Sequence, residues 1–187
     1  MDFLDTYDAA ARLWGPEQLR EIWGGTYDQN PATCRAHAIE ALRNPKPLTD
    51  PRRLRAGSGL ALAAGDRVAI IRIEPVPEAL ELAQRVAWPK DAYSISGTSS
   101  GTRWMLFQPH SGIPAEGATL VPGFRILGVG EVCPLPPTWH SRHERYAWDG
   151  RSPFSGPVDD HRAPPPSEFP AELLTLIAPK KAKGSKP

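Results

Sequence analysis

The sequence predicts a mixed α+β chain of short elements, and three observations carry that prediction. Apolar residues recur at helical spacing within residues 5–23, 31–43 and 77–87. Short runs rich in β-branched and aromatic residues, such as Val68–Glu74 and Arg103–Gln108, are bounded by Gly and Pro. Twenty-two prolines in 187 residues favour short elements with long connections.

From the N-terminus, Ala9, Ala10, Leu13, Leu19, Ile22 and Trp23 lie at near-helical spacing, interrupted by Gly15-Pro16. Pro16 suits the first turn of a second helix carrying Glu17, Leu19, Arg20 and Trp23, which Gly24-Gly25 would stop. Residues 31–43 form the next helix candidate, with Ala32, Ala36, Ile39 and Leu42 apolar. Pro45, Pro47 and Pro51 then make an irregular connection that is basic through Lys46, Arg52, Arg53 and Arg55.

Leu60–Ala63 and Val68–Glu74 read as two strands joined by a Gly65-Asp66 turn, with Pro75 ending the second because it has no amide to give. Residues 77–87 form a helix with Pro77 in its first turn and Leu80, Ala83 and Val86 on one face. Strands follow near Tyr93–Ile95, Arg103–Gln108, Phe124–Leu127 and Glu131–Pro134. Residues 149–170 are Pro-rich and irregular, and Pro170–Ile177 is a short closing helix. The lysine-rich end, residues 179–187, reads as a disordered, solvated tail.

Composition bounds the functional classes. A formal charge of +1 provides no global basic field that would force a nucleic-acid partner. No apolar run approaches the roughly 18 residues that span a bilayer, and the acidic start Met1-Asp2-Phe3-Leu4-Asp5 lacks the features of a signal peptide. The expectation is a cytoplasmic protein without a membrane partner. Cys34 and Cys133 lie far apart; a disulfide stays open, but two buried thiols in a reducing compartment is the favoured reading.

Three segments carry a family pattern. One is Gly57-Ser58-Gly59-Leu60-Ala61-Leu62 followed by Val68–Pro75. Another is Ser99-Ser100-Gly101-Thr102-Arg103-Trp104 with its aromatic-rich strand. The last is Pro136-Pro137-Thr138-Trp139-His140 with Tyr146-Ala147-Trp148. Their order and spacing, over about residues 55–178, resemble the bifunctional DNA primase/polymerase (prim-pol) domain of the archaeo-eukaryotic primase superfamily. The resemblance implies a prim-pol fold, in which a small αβ module and an RRM-like sheet share a cleft. It also implies a chain divided into an N-terminal helical segment (1–54), a prim-pol-like domain (55–178) and the tail (179–187).

The catalytic residues of that family are mostly replaced. Its Asp-x-Asp, which holds divalent ions, corresponds here to Arg72 and Glu74. Alternation along a strand puts these two on one side with Val68 and Ile70, so a paired Arg72–Glu74 surface is the simpler reading. Glu74 is the remaining candidate catalytic and metal-binding residue, and a permanent cation stands beside it. The family's phosphate-contacting histidine is replaced by Trp104, which offers either a base-stacking ring or a packed aromatic. Ser100, Arg103 and His140 fall in the motifs implied to meet nucleotide or nucleic acid. Counting back from Pro136-Pro137 puts Arg125 where the third acidic ligand belongs. His140, His143 and Glu144 suggest zinc, but their order is not that of helical His-Glu-x-x-His.

Three functional readings result. The leading one is a prim-pol-like domain that has lost its chemistry, needs no cofactor and still binds DNA or nucleotides, because arginines in place of carboxylates would repel Mg²⁺ and attract phosphate. A second is an active primase/polymerase using Mg²⁺ or Mn²⁺ on Glu74 and an unmatched carboxylate: Asp66, Asp91 or Glu131. The third is a protein-interaction subunit of a replication or mobile-element complex.

Overall fold

The computed structural model describes residues 3–23, 45–48, 50, 58–97, 101–138, 145–150, 152 and 165–177. The helix expected over 31–43 and the lysine-rich tail lie outside the described residues. The architecture is mixed α+β, with three helices and two antiparallel sheets among the described residues.

Helix α1 (Phe3–Trp14) ends where the Gly15 amide donates to the Ala11 carbonyl. The second helix expected from Pro16 does not form. Pro16–Gln18 makes a single 3₁₀ turn, and Leu19–Trp23 is strand β1. Leu19 and Ile22 are three apart, which on a strand places them on opposite faces. Leu19 enters the core between the sheets, while Ile22 packs with Ala61, Ala63 and Val132 on the outer face. Burial on both faces is what imitated a helical period.

Strand β2 (Lys46–Pro47) lies within the connection expected to be irregular and pairs with β1. Strand β3 (Ser58–Ala63) takes β1 on one side and β9 (Val132–Leu135) on the other, giving the order β2-β1-β3-β9. The sequence boundary at residue 54 therefore divides one hydrogen-bonded sheet.

Strand β4 (Ala69–Ile73) does not form a hairpin with β3. The turn closed by the Gly65 amide and the Val68 carbonyl, 3.0 Å apart, hands the chain to a second sheet. Both strands are apolar on both faces, so each is an interior strand that needs two neighbours. The second sheet has the order β10-β5-β6-β4-β8-β7, where β5 is Tyr93–Gly97, β6 Arg103–Phe107, β7 Gly117–Val121, β8 Phe124–Leu127 and β10 Tyr146–Trp148.

One face of the six-stranded sheet packs on the four-stranded sheet and α1 through Ile70, Tyr93, Trp104 and Leu106 against Trp14, Leu60, Leu62 and Leu135. The other face, through Ile71, Phe107 and Phe124, is covered by α2 (Pro77–Arg85) and α3 (Ala171–Ile177). Leu80 was expected on the buried face of α2, yet it is 45% exposed. Ala79, Leu82, Ala83 and Val86 make that face instead, an i, i+3, i+4, i+7 set. No described helix is long and apolar enough to cross a membrane.

Candidate functional site

The sheet register brings two of the singled-out residues together. Arg72 on β4 lies directly opposite Arg125 on β8 and, on its other side, opposite Trp104 on β6. The row continues to Thr119 on β7 and to Ile95 on β5. Directly opposed residues share a face, so this row points toward the four-stranded sheet, as Ile70 does two residues earlier. β4 ends one residue after Arg72, and the Glu74 amide donates to the Gly123 carbonyl at 2.8 Å.

Each arginine of the row meets a carboxylate. Arg72 Nη2 is 3.0 Å from Glu74 Oε1, the same-side pairing that alternation predicts. Arg125 Nη2 is 2.8 Å from Glu131 Oε2, and its Nε donates to both Glu131 oxygens at 3.2 Å. The expected electropositive pocket needs correcting at this point. The two arginines are cross-strand neighbours, but their guanidinium groups turn to different carboxylates, and with Glu74 and Glu131 the four groups sum to zero formal charge.

The same geometry tests a divalent ion at Glu74, and the residues present do not fit one. Glu74 and Glu131 are each paired to a guanidinium group, a permanent cation that a divalent ion would have to displace. Of the other carboxylates considered, Asp66 accepts from Gln18 Nε2 at 3.1 Å and Asp91 from Ser167 Oγ at 3.1 Å. The register of β4, β5 and β6 puts both at the opposite end of the sheet from Arg72. Among the described residues no group of three or more His, Cys, Asp or Glu side chains could hold a metal.

Arg103 is not part of the row. It opposes Ile73 and Ser96 on the other face, where its Nη2 is 3.0 Å from Asp149 Oδ2. Trp104 does share the row, but it is buried edge-on to Tyr146, with ring centroids 5.4 Å apart. The base-stacking role is corrected accordingly: the ring has no open face to offer. Ser100, His140, His143 and Glu144 lie outside the described residues.

Tyr146 and Trp148 of the Tyr-x-Trp motif pack back on the sheet, Tyr146 against Trp104 and Trp148 against Tyr93. Burial pushes the Cys133 thiol and the Tyr146 phenol well above their ordinary ranges, and a thiolate at Cys133 would raise the phenol further. Cys133 is free, buried and held protonated, which makes it a core residue and not a nucleophile. Sequence reasoning had named Glu131 only as a possible metal ligand. Its role as the partner of Arg125 depends on the loop between β8 and β9 folding back, for which the sequence carries no local signal. No family model matches this chain, and neither does any curated protein or solved structure.

Proposed function

We propose that the chain is a prim-pol-like domain that has given up nucleotidyl transfer and binds the phosphates of single-stranded DNA or nucleotides at the Arg72 edge. The observation that carries the reading is the Arg72–Arg125 cross-strand pair. It stands where the resemblance in residues 55–178 calls for carboxylates that hold two metal ions. The two sheets that face each other across this row agree with the two modules the resemblance implies. A guanidinium offers a planar fork of donors matched to phosphate oxygens, and the side chain of Arg72 is 40% exposed.

The test is binding of labelled single-stranded DNA across a salt series. The reading expects measurable affinity at low ionic strength that falls with salt, since each neutralised phosphate releases counterion. No binding at low salt would sink it. Primer extension with Mg²⁺ and with Mn²⁺ is the companion experiment. Nucleotide incorporation that Glu74→Ala abolishes would restore the enzyme reading.

The zero formal charge of the four-group row favours a second reading, a protein-interaction subunit that does not touch DNA. Capture of one stable protein partner, unaffected by nuclease, would select it over the first.

A further inference from the structure

The two arginine–carboxylate pairs of the row are built differently. Arg125 closes on Glu131 through Nε and Nη2, and the Gly128 amide holds the same carboxylate at 2.6 Å. Glu74 meets Arg72 at a single point, Oε1 to Nη2 at 3.0 Å, and no second donor holds its carboxylate among the described residues. Nε and Nη2 together form one forked edge of a guanidinium. Glu74 fills one prong of that fork, and the other, the buried Nε of Arg72, has no hydrogen-bond partner among the described residues. Side-chain exposures of 40% and 39% put the pair in the weak, solvent-screened class. The Glu74 main chain is pinned on both sides: its amide donates to the Gly123 carbonyl and its carbonyl accepts from the Val76 amide, both at 2.8 Å. Releasing the carboxylate therefore takes only side-chain rotation.

We propose that Glu74 is a built-in competitor: its carboxylate occupies the Arg72 fork in place of the anion and swings aside when a phosphate binds, so that it sets the strength of the site. The inference rests on the phosphate-binding reading above. A phosphate group carries oxygens enough to take both prongs, which the one-point Glu74 contact does not. The exchange trades a weak pair for a better-matched one, and its cost is the ion pair given up plus the repulsion between the displaced carboxylate and the phosphate. Arg125 offers no such exchange, since its carboxylate is gripped by two nitrogens and a backbone amide. The ligand class is a phosphodiester or oligophosphate, and two probes separate the sources: labelled single-stranded oligothymidylate, and inorganic triphosphate as competitor.

The experiment uses the full chain and measures fluorescence anisotropy over a salt series. Glu74→Gln is expected to tighten oligothymidylate binding about threefold to tenfold at low salt. Glu78→Gln removes the same charge from an exposed position in the first turn of α2 and is expected to stay within about twofold of wild type. Arg72→Ala is expected to weaken binding about tenfold and to flatten the log–log salt slope by about 0.7. Without Arg72 no phosphate sits beside position 74, so adding Glu74→Gln to Arg72→Ala is expected to change affinity less than about twofold. Should Arg72→Ala fail to fold, Arg72→Gln takes its place in the cycle. If wild type binds neither probe at low salt, the phosphate-binding reading itself fails. If wild type binds but Glu74→Gln is no tighter, or Glu78→Gln gains as much, or the gain persists without Arg72, the competitor role fails and the reading stands.

Discussion

Thr138 and Leu60 exchange two hydrogen bonds in the buried core of the four-stranded sheet. Thr138 Oγ1 accepts from the Leu60 amide at 2.8 Å and donates to the Leu60 carbonyl at 2.9 Å. The Thr138 carbonyl in turn accepts from the Tyr146 amide at 2.9 Å, so one residue of the Pro-Pro-Thr motif links β3 to β10. The motif holds the two sheets to each other.

Thr138→Val keeps the shape and removes the hydroxyl, leaving a buried N–H and C=O without their partner. The expected loss is about 2–4 kcal/mol of unfolding free energy. Thr138→Ser keeps the hydroxyl and loses one methyl, for about 1 kcal/mol. Urea denaturation of both variants checks the order. Equal losses would mean that the methyl, not the hydroxyl, does the holding.

Gly59 lies beneath the same residue. A methyl group there would run into Thr138 Cγ2 and approach Ile22 Cγ1 to 2.9 Å. Both neighbours sit in packed surroundings, so Gly59→Ala is expected to cost about 1–3 kcal/mol through overpacking. A melting temperature unchanged from wild type would show that β3 has room to shift.

Trp104 is buried, so its substitutions should act on stability and leave phosphate binding alone. Trp104→Ala is expected to lose about 3–5 kcal/mol. Trp104→Phe, folded at the assay temperature, should hold single-stranded DNA affinity within about twofold of wild type, whereas a stacking platform would lose more. Anisotropy on the Phe variant decides between them.

The Cys133 thiol is raised by burial, which gives stability a sign at alkaline pH. The folded state keeps the proton that the unfolded state releases above about pH 8.5. The contribution is therefore whole below that range and is lost progressively as pH rises through it toward the folded value. In a Cys34→Ser background, Cys133 should resist iodoacetamide in buffer and react in denaturant. Cys133→Ala should show a shallower alkaline loss of stability. Rapid labelling of the native protein would contradict the buried, protonated thiol.

Period-two arithmetic was enough to pair Arg72 with Glu74, and counting back from Pro136-Pro137 was enough to find Arg125, now seen opposite Arg72. The first inference needed only local geometry; the second rested on the family resemblance. β7 was missed, although Val121-Pro122-Gly123-Phe124 has the residues of a type II turn and Gly123 the positive φ of 74° that such a turn requires. The turn after β3 was misread because a turn does not say whether the strands it joins will pair. β1 was misread because a strand buried on both faces has no alternation to detect. The partners of the arginines were the least legible part. Glu131 reaches Arg125, and Asp149 reaches Arg103, only once loops have closed over the sheet.

The order of strands also governs how the chain is assembled on the ribosome. β3 finds its second neighbour only when β9 emerges, after five of the six strands of the other sheet have been made. Until residue 135 is free, the apolar edge of β3 is bare. A cut anywhere between β4 and β9 leaves two fragments, each lacking hydrogen-bonded neighbours from both sheets. Neither half is a foldable piece, and recovery of function from a split protein would require both halves to be made together.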